Sequence, residues 1–165
     1  MKKHLHFVCP TDHLESVIND TFKHENYYVT SLGNSIMFDT QIMYELLGLI
    51  TVKDIQEITF VLSDTNKIIL DALENRDFVA INGLDMLYRE MSQQKDYKEK
   101  IWGKADIRIP VLSHYLNKKI TELSTHFSEW RLNDIKINAK IYKKEESMFE
   151  DVFADVLYYK YFSLN

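Results

Sequence analysis

Residues 60–70 read FVLSDTNKIIL. An apolar run closes at Leu62, four polar residues follow from Ser63 to Asn66, and apolar side chains resume at Ile68. The pattern predicts a buried strand, a polar turn, and a helix capped by that turn. In an open α/β sheet, ligands sit beyond the carboxyl ends of strands. The turn is therefore either a chemical site or a helix cap, worth about 1 kcal/mol, supplied by Ser63, Asp64 or Thr65.

Working outward, residues 55–62 (IQEITFVL) form the strand, and the helix runs over residues 66–73 with Ile69, Leu70 and Leu73 inward. Upstream, residues 4–9 (HLHFVC) read as a first strand, followed by turn chemistry in Pro10, Thr11 and Asp12. Asp12 and Glu15 have the spacing of a capping box. The helix behind them reaches about His24, with Leu14, Val17, Ile18 and Phe22 on one face. Residues 26–32 (NYYVTSL) are β-branched and aromatic, hence a second strand. It closes at Gly33, Asn34 and Ser35, a turn that needs positive φ. A helix over residues 39–49 buries Ile42, Met43, Leu46 and Leu47. Three strand–helix pairs with short connections predict parallel strands joined by right-handed crossovers.

Further along, residues 78–94 predict a helix interrupted near Gly83, and residues 111–130 predict a longer one that carries His114 and His126 at its surface. Residues 100–110 read as the loop between them. Residues 134–144 (DIKINAKIYKK) alternate Ile135, Ile137, Ala139 and Ile141 with Lys136, Asn138 and Lys140, as a half-exposed edge strand does. The aromatic tail from Phe149 to Phe162 fits helix or strand, and a core or subunit seam. The expected fold is α/β, a single domain over residues 1–165. A mostly parallel central sheet of about four to five strands is flanked by helices, with an edge strand near the C-terminus.

Composition narrows the function classes. The chain has 165 residues with a net charge of −5, which disfavours nucleic acid because phosphate binding needs clustered cations. Residues 95–100 (KDYKEK) mix signs and read as a solvated face. A single cysteine excludes an intrachain disulfide and suits the reducing cytoplasm. No apolar run approaches the roughly 20 residues of a membrane span, and the start is too short in apolar residues for a signal peptide.

The order and spacing of these elements resemble the β-class carbonic anhydrases, in their short form without a long N-terminal helical arm. The second strand and its turn, NYYVTSLGNSI, look like one element of that family. LLGLITVKDIQEITFVLSDTNKII is similar to its Leu-Gly, strand and metal-turn run, with Leu47 and Gly48 at the expected distance. IKINAKIYKKEESMFEDV looks like its late edge strand. The resemblance covers most of the chain.

The resemblance implies a zinc site, and most of its ligands are missing. Cys9 stands at the first ligand position, but Ser63 falls on the family's His and Asn66 on its second Cys. Zinc prefers thiolate, imidazole or carboxylate, so neither replacement serves. The family's Asp-Arg pair falls on Thr11 and His13, with Asp12 one place out of register. The leading expectation is a non-catalytic small-ligand-binding or regulatory module that needs no cofactor. Its cleft would lie among Cys9, Thr11, Asp12, Gly33, Asn34, Ser63, Asp64 and Asn66, and a small anion would use the helix N-terminal N–H groups there.

Two other readings stay open. A zinc-dependent lyase would rebuild a metal site from Cys9, His4, His6 and His13, with Asp12 or Asp64 as general base. His4 and His6 share a strand face, but His6 lies about 10 Å of extended chain from Cys9. A structural homodimeric subunit is the third reading, and a homodimer is what the resemblance implies in any case. Cys9 reads as buried and inert, or as a thiol activated by the helix that follows it.

Overall fold

The structure, a computed structural model, describes residues 1–102 and 106–152. Its strands are β1 (Lys3–Val8), β2 (Glu25–Thr30), β3 (Glu57–Ser63), β4 (Lys136–Lys143) and β5 (Met148–Asp151). They form one sheet in the order β2-β1-β3-β4-β5. The first four are mutually parallel and β5 returns antiparallel to β4. Every residue of β3 is buried, as expected of a central strand covered on both faces. The register pairs Phe7 with Phe60 and Val8 with Val61, so the carboxyl ends of β1 and β3 finish side by side.

The helices are α1 (Glu15–Thr21), α2 (Thr40–Lys53), α3 (Lys67–Leu73), α4 (Asp85–Trp102) and α5 (Arg108–Glu129). The main core joins one sheet face, including Leu5, Phe7, Ile58 and Phe60, to α2, α3, α4 and α5. On the opposite face Val8 and Val61 pack against Leu14 and Ile18, the latter in α1. Among the described residues, no helix is long and apolar enough to cross a membrane.

Several boundaries differ from the sequence reading, each for a local reason. The 3-10 turn Pro10–Asp12 ends at His13 in the left-handed region (φ 52°), which separates Asp12 from α1. Leu14 is the N-cap of α1 and makes no side-chain cap bond, so there is no capping box with Glu15. The helix α4 starts only at Asp85, because Gly83 (φ 90°) breaks the chain direction before it. Upstream, the Asp71 carboxylate gathers the N–H groups of Asp77 and Phe78 and the Tyr88 hydroxyl.

The expected loop at residues 100–110 is shorter than predicted, since α4 runs to Trp102 and α5 begins at Arg108. Pro110 lies in the first turn of α5, where its missing N–H costs nothing. In residues 95–100, Lys98 is buried and Lys95 donates to the Leu73 carbonyl at 2.8 Å, so that run is not wholly solvated. Finally, β4 is not an edge. Ser147 (φ 52°) turns the chain back and β5 takes the edge position. Of the aromatic tail, Phe149 packs on Tyr142 and Phe22 with ring centroids 4.9 and 5.1 Å apart. The rest, from residue 153, lies outside the described residues.

Candidate functional site

The ends of β1 and β3 bring the sequence's polar turns together. Cys9 is fully buried, and its Sγ accepts the Gly33 N–H at 3.1 Å and shares a hydrogen bond with the Thr11 hydroxyl at 3.1 Å. Gly33 sits at φ +59°, and a Cβ there would meet Leu87 Cδ1 at 2.9 Å, so the turn requires glycine. The Tyr115 hydroxyl, from α5, is 2.9 Å from the carbonyls of both Gly33 and Asn34 and clamps the turn from behind. The Asn34 amide donates to Phe7 O at 3.3 Å and Val61 O at 3.1 Å, tying the two strand ends together.

Asp12 is the hinge of the arrangement. Its Oδ2 accepts the Ser63 N–H at 2.9 Å, and its Oδ1 accepts the Asn66 side-chain amide at 2.9 Å. Asn66, not Ser63, Asp64 or Thr65, is the N-cap of α3, and its Oδ1 accepts the N–H groups of Ile68 and Ile69 at 3.1 and 2.9 Å. Burial pushes the Asp12 carboxyl up to about 6, against the pull of the bonds from Ser63 and Asn66. Ser63 Oγ lies 3.0 Å from Thr65 Oγ1 and accepts the Thr65 N–H at 3.2 Å. Asp64 is engaged elsewhere, accepting the Lys144 N–H at 3.2 Å.

A cleft of about 380 Å³ opens beside this network, and its wall includes Thr11, Asp12, Ser63, Thr65, Lys67 and Lys144. Of the expected cleft residues, Thr11, Asp12 and Ser63 line it. Cys9, Gly33, Asn34 and Asn66 are buried and do not, and Asp64 is likewise not part of the wall. The N–H groups of Ile68 and Ile69, expected to hold an anion, are already taken by Asn66. Lys67, Lys144 and the clamp from Tyr115 went unread in the sequence. Lys67 directly follows the polar turn and was visible there as a cation, whereas Tyr115 sits in an apolar helical stripe that carries no sign of its role.

The histidines fall into two groups. His4 and His6 are not at the surface: both are buried, with rings stacked at 4.1 Å, on the sheet face opposite Cys9. Thr59 donates its one hydroxyl proton to Asn138 Oδ1 at 2.5 Å, so at 2.7 Å it accepts from His4 Nε2–H. His6 Nε2 donates to Asn26 Oδ1 at 3.0 Å. Burial lowers both imidazoles to about 4, and the His6 charge adds to this for His4. His13 is exposed on its left-handed turn. Among the described residues, no three His, Cys, Asp or Glu side chains are placed to hold a metal ion. The residues at the ligand positions do not fit zinc either: a hydroxyl and an amide stand where an imidazole and a thiolate are needed, and both are hydrogen-bonded within the protein.

The solved structures that this chain resembles are β-carbonic anhydrases. One of two tetrameric β-carbonic anhydrases from the filamentous ascomycete Sordaria macrospora superposes with a TM-score of 0.71 at 10% identity, over 93% of this chain and 81% of that one. The β-carbonic anhydrase CafD of Aspergillus fumigatus gives 0.69 at 15% identity, over 93% and 90%. The Coccomyxa β-carbonic anhydrase, solved in complex with acetazolamide, gives 0.66 at 11% identity, over 99% and 84%. No family model and no curated protein sequence matches the chain. The chain therefore has the β-carbonic anhydrase fold. At such identities the likeness is one of fold, and function has to be argued from the site.

Proposed function

We propose that this protein is a β-carbonic anhydrase scaffold that works without the zinc site and without hydration of carbon dioxide. It binds a small polar or anionic ligand in the cleft beside Asp12 and acts as a non-catalytic binding or regulatory module. One observation carries this reading: the Asp12 carboxylate bridges the Ser63 N–H and the Asn66 amide, the two positions where the resemblance places zinc ligands. Those groups are satisfied by one another and present neither an open thiolate nor an imidazole. A homodimer in the cytoplasm completes the proposal. The tetrameric state of the Sordaria proteins and the lone cysteine support these two points.

The test is elemental analysis for zinc on untagged protein, beside Cys9→Ala and a carbon dioxide hydration assay. The expected result is no stoichiometric zinc in either protein and no hydration above the uncatalysed rate. Near one zinc per chain, lost in Cys9→Ala, together with hydration would overturn the reading in favour of a zinc lyase. Light scattering at several concentrations checks the dimer.

A further inference from the structure

We propose that the cleft beside Asp12 takes a phosphate monoester, its phosphoryl group held between Lys67 and Lys144 and its organic body set against Thr11, Thr65 and the Leu14–Val17 wall. The inference rests on the reading of this cleft as a ligand site and names the ligand's chemistry.

Four observations lead there. The first is size. At about 380 Å³ the cavity reaches the lower part of the range that encloses small organic ligands, roughly 300–1,000 Å³, so a bare inorganic anion leaves most of it unfilled.

The second is unpaired charge. Lys67 and Lys144 are exposed cleft residues, and neither lies at ion-pair distance from a carboxylate among the described residues. Nearby in the sheet, Lys136, Lys140 and Lys143 all have carboxylate partners.

The third is fixed spacing. Lys67 opens α3 and Lys144 follows β4, and Asp64 ties the two segments together. Its N–H donates to Tyr142 O at 2.9 Å and its Oδ1 accepts the Lys144 N–H at 3.2 Å. The backbones carrying the two ammonium groups are thus joined at the mouth of one cavity. The opposing charge is handled in the same way. Asp12 is the single carboxylate in the wall, and both its oxygens are engaged by the Ser63 N–H and the Asn66 amide.

The fourth is the kind of donor. The wall contains no arginine, the planar fork that suits a planar carboxylate. Two separate ammonium point charges, with Ser147 in the same wall, match acceptors spread over a tetrahedral dianion.

The experiment is calorimetric titration of the full chain, in phosphate-free buffer at low salt. The probes are glucose 6-phosphate, inorganic phosphate, glucose and succinate. Glucose 6-phosphate is expected to saturate one site per chain more tightly than inorganic phosphate, with no binding of glucose or succinate. Lys67→Ala and Lys144→Ala each weaken it about tenfold, the loss of one charge-assisted hydrogen bond. Lys140→Ala, outside the cleft, leaves it unchanged. Melting curves serve as the folding control, and the two cleft lysines are exposed enough to be removed without unfolding the chain.

No saturable binding of glucose 6-phosphate overturns the inference, as does binding that survives both cleft substitutions. Succinate binding as tightly overturns the phosphate assignment, and inorganic phosphate binding as tightly overturns the monoester. A zinc-loaded chain that hydrates carbon dioxide defeats the wider reading. A zinc-free, inactive chain that ignores every phosphate defeats this inference alone.

Discussion

On one face of β1, Leu5 and Phe7, with Cys9 just beyond the strand, sink into the apolar core beneath four helices; on the other, His4 and His6 lie stacked in a layer of polar side chains. The burial is the same, Phe7 and His6 each being 1% exposed. The chemistry that makes burial tolerable is not. Phe7 stacks on Phe60 with ring centroids 4.8 Å apart and needs only area and shape. The histidines need partners: His4 reaches a chain from Thr59 to Asn138 to Glu57 to Lys2, and His6 reaches Asn26. Even so, among the described residues His4 Nδ1 and His6 Nδ1 find no hydrogen-bond partner. A strand buried on both faces can thus carry a proton-sensitive side and a proton-blind side on adjacent residues.

The largest expected effect is on the blind side. Phe60→Ala removes a fully buried ring between Phe7 and Phe38 and costs about 3–5 kcal/mol. Urea unfolding at pH 7 and pH 5 should show the same loss at both. A loss that changed with pH would blur the distinction between the faces.

Next comes the sensitive side. Both histidines have an ordinary value of 6.5 and are lowered by burial to about 4 in the folded chain. As pH falls below 6.5, the unfolded chain takes up protons that the folded chain refuses, so stability falls toward pH 4. For two protons the slope reaches at most about 2.7 kcal/mol per pH unit. Glu57 enters later. Burial raises its carboxyl, but bonds from Lys2 and Asn138 prevail and hold it at about 2, so its contribution is lost only below its ordinary 4.5. Between 4.5 and 6.5 the histidines are opposed only in part by Asp12, whose carboxyl, raised to about 6, takes up its proton in the folded chain first, so the difference between the parent and a histidine variant isolates the histidines. His4→Gln with His6→Gln should flatten the stability curve there, and an unchanged slope would assign the acid sensitivity to other groups.

The smallest effect tests the strand ends, where neither face dominates. Asn66→Ala removes the α3 cap and one of the two donors to Asp12, at a cost of about 1–2 kcal/mol. With that donor gone, the Asp12 carboxyl should rise further above 6, an outcome that carboxyl-resolved NMR titration reads directly. No rise would mean that the Asn66 amide does not hold the carboxylate in solution.

These regions also show what a single sequence discloses. The parallel β-strands, the start of α2 near Asp39 and the family resemblance were legible, because periodicity and turn residues are local signals. The α/β sheet and its β-carbonic anhydrase likeness follow directly from them. Partners across the fold were not. Asp12 finds Ser63 at a separation of 51 residues, and nothing near Asp12 announces it. The turn held four residues able to cap α3, and the choice fell to Asn66 through backbone geometry (φ −55°, ψ 124°) that composition does not encode. Period-2 alternation put His4 and His6 on one face correctly. That the face is buried depends on Phe22, Tyr28 and Thr59, brought in from elsewhere. The edge hairpin was missed because the alternating pattern of β4 looks the same whether or not a further strand lies beyond it.

The clamp behind the Gly33 turn has a practical consequence. Tyr115 in α5 holds the carbonyls of Gly33 and Asn34, and the Gly33 N–H holds the Cys9 sulfur. An alkylating reagent can reach that thiol only after α5 and the turn let go. With one cysteine in the chain, the rate of its labelling under native conditions counts those openings. The protein carries its own gauge of how often the sheet end comes apart, and a ligand that steadies the neighbouring cleft should slow it.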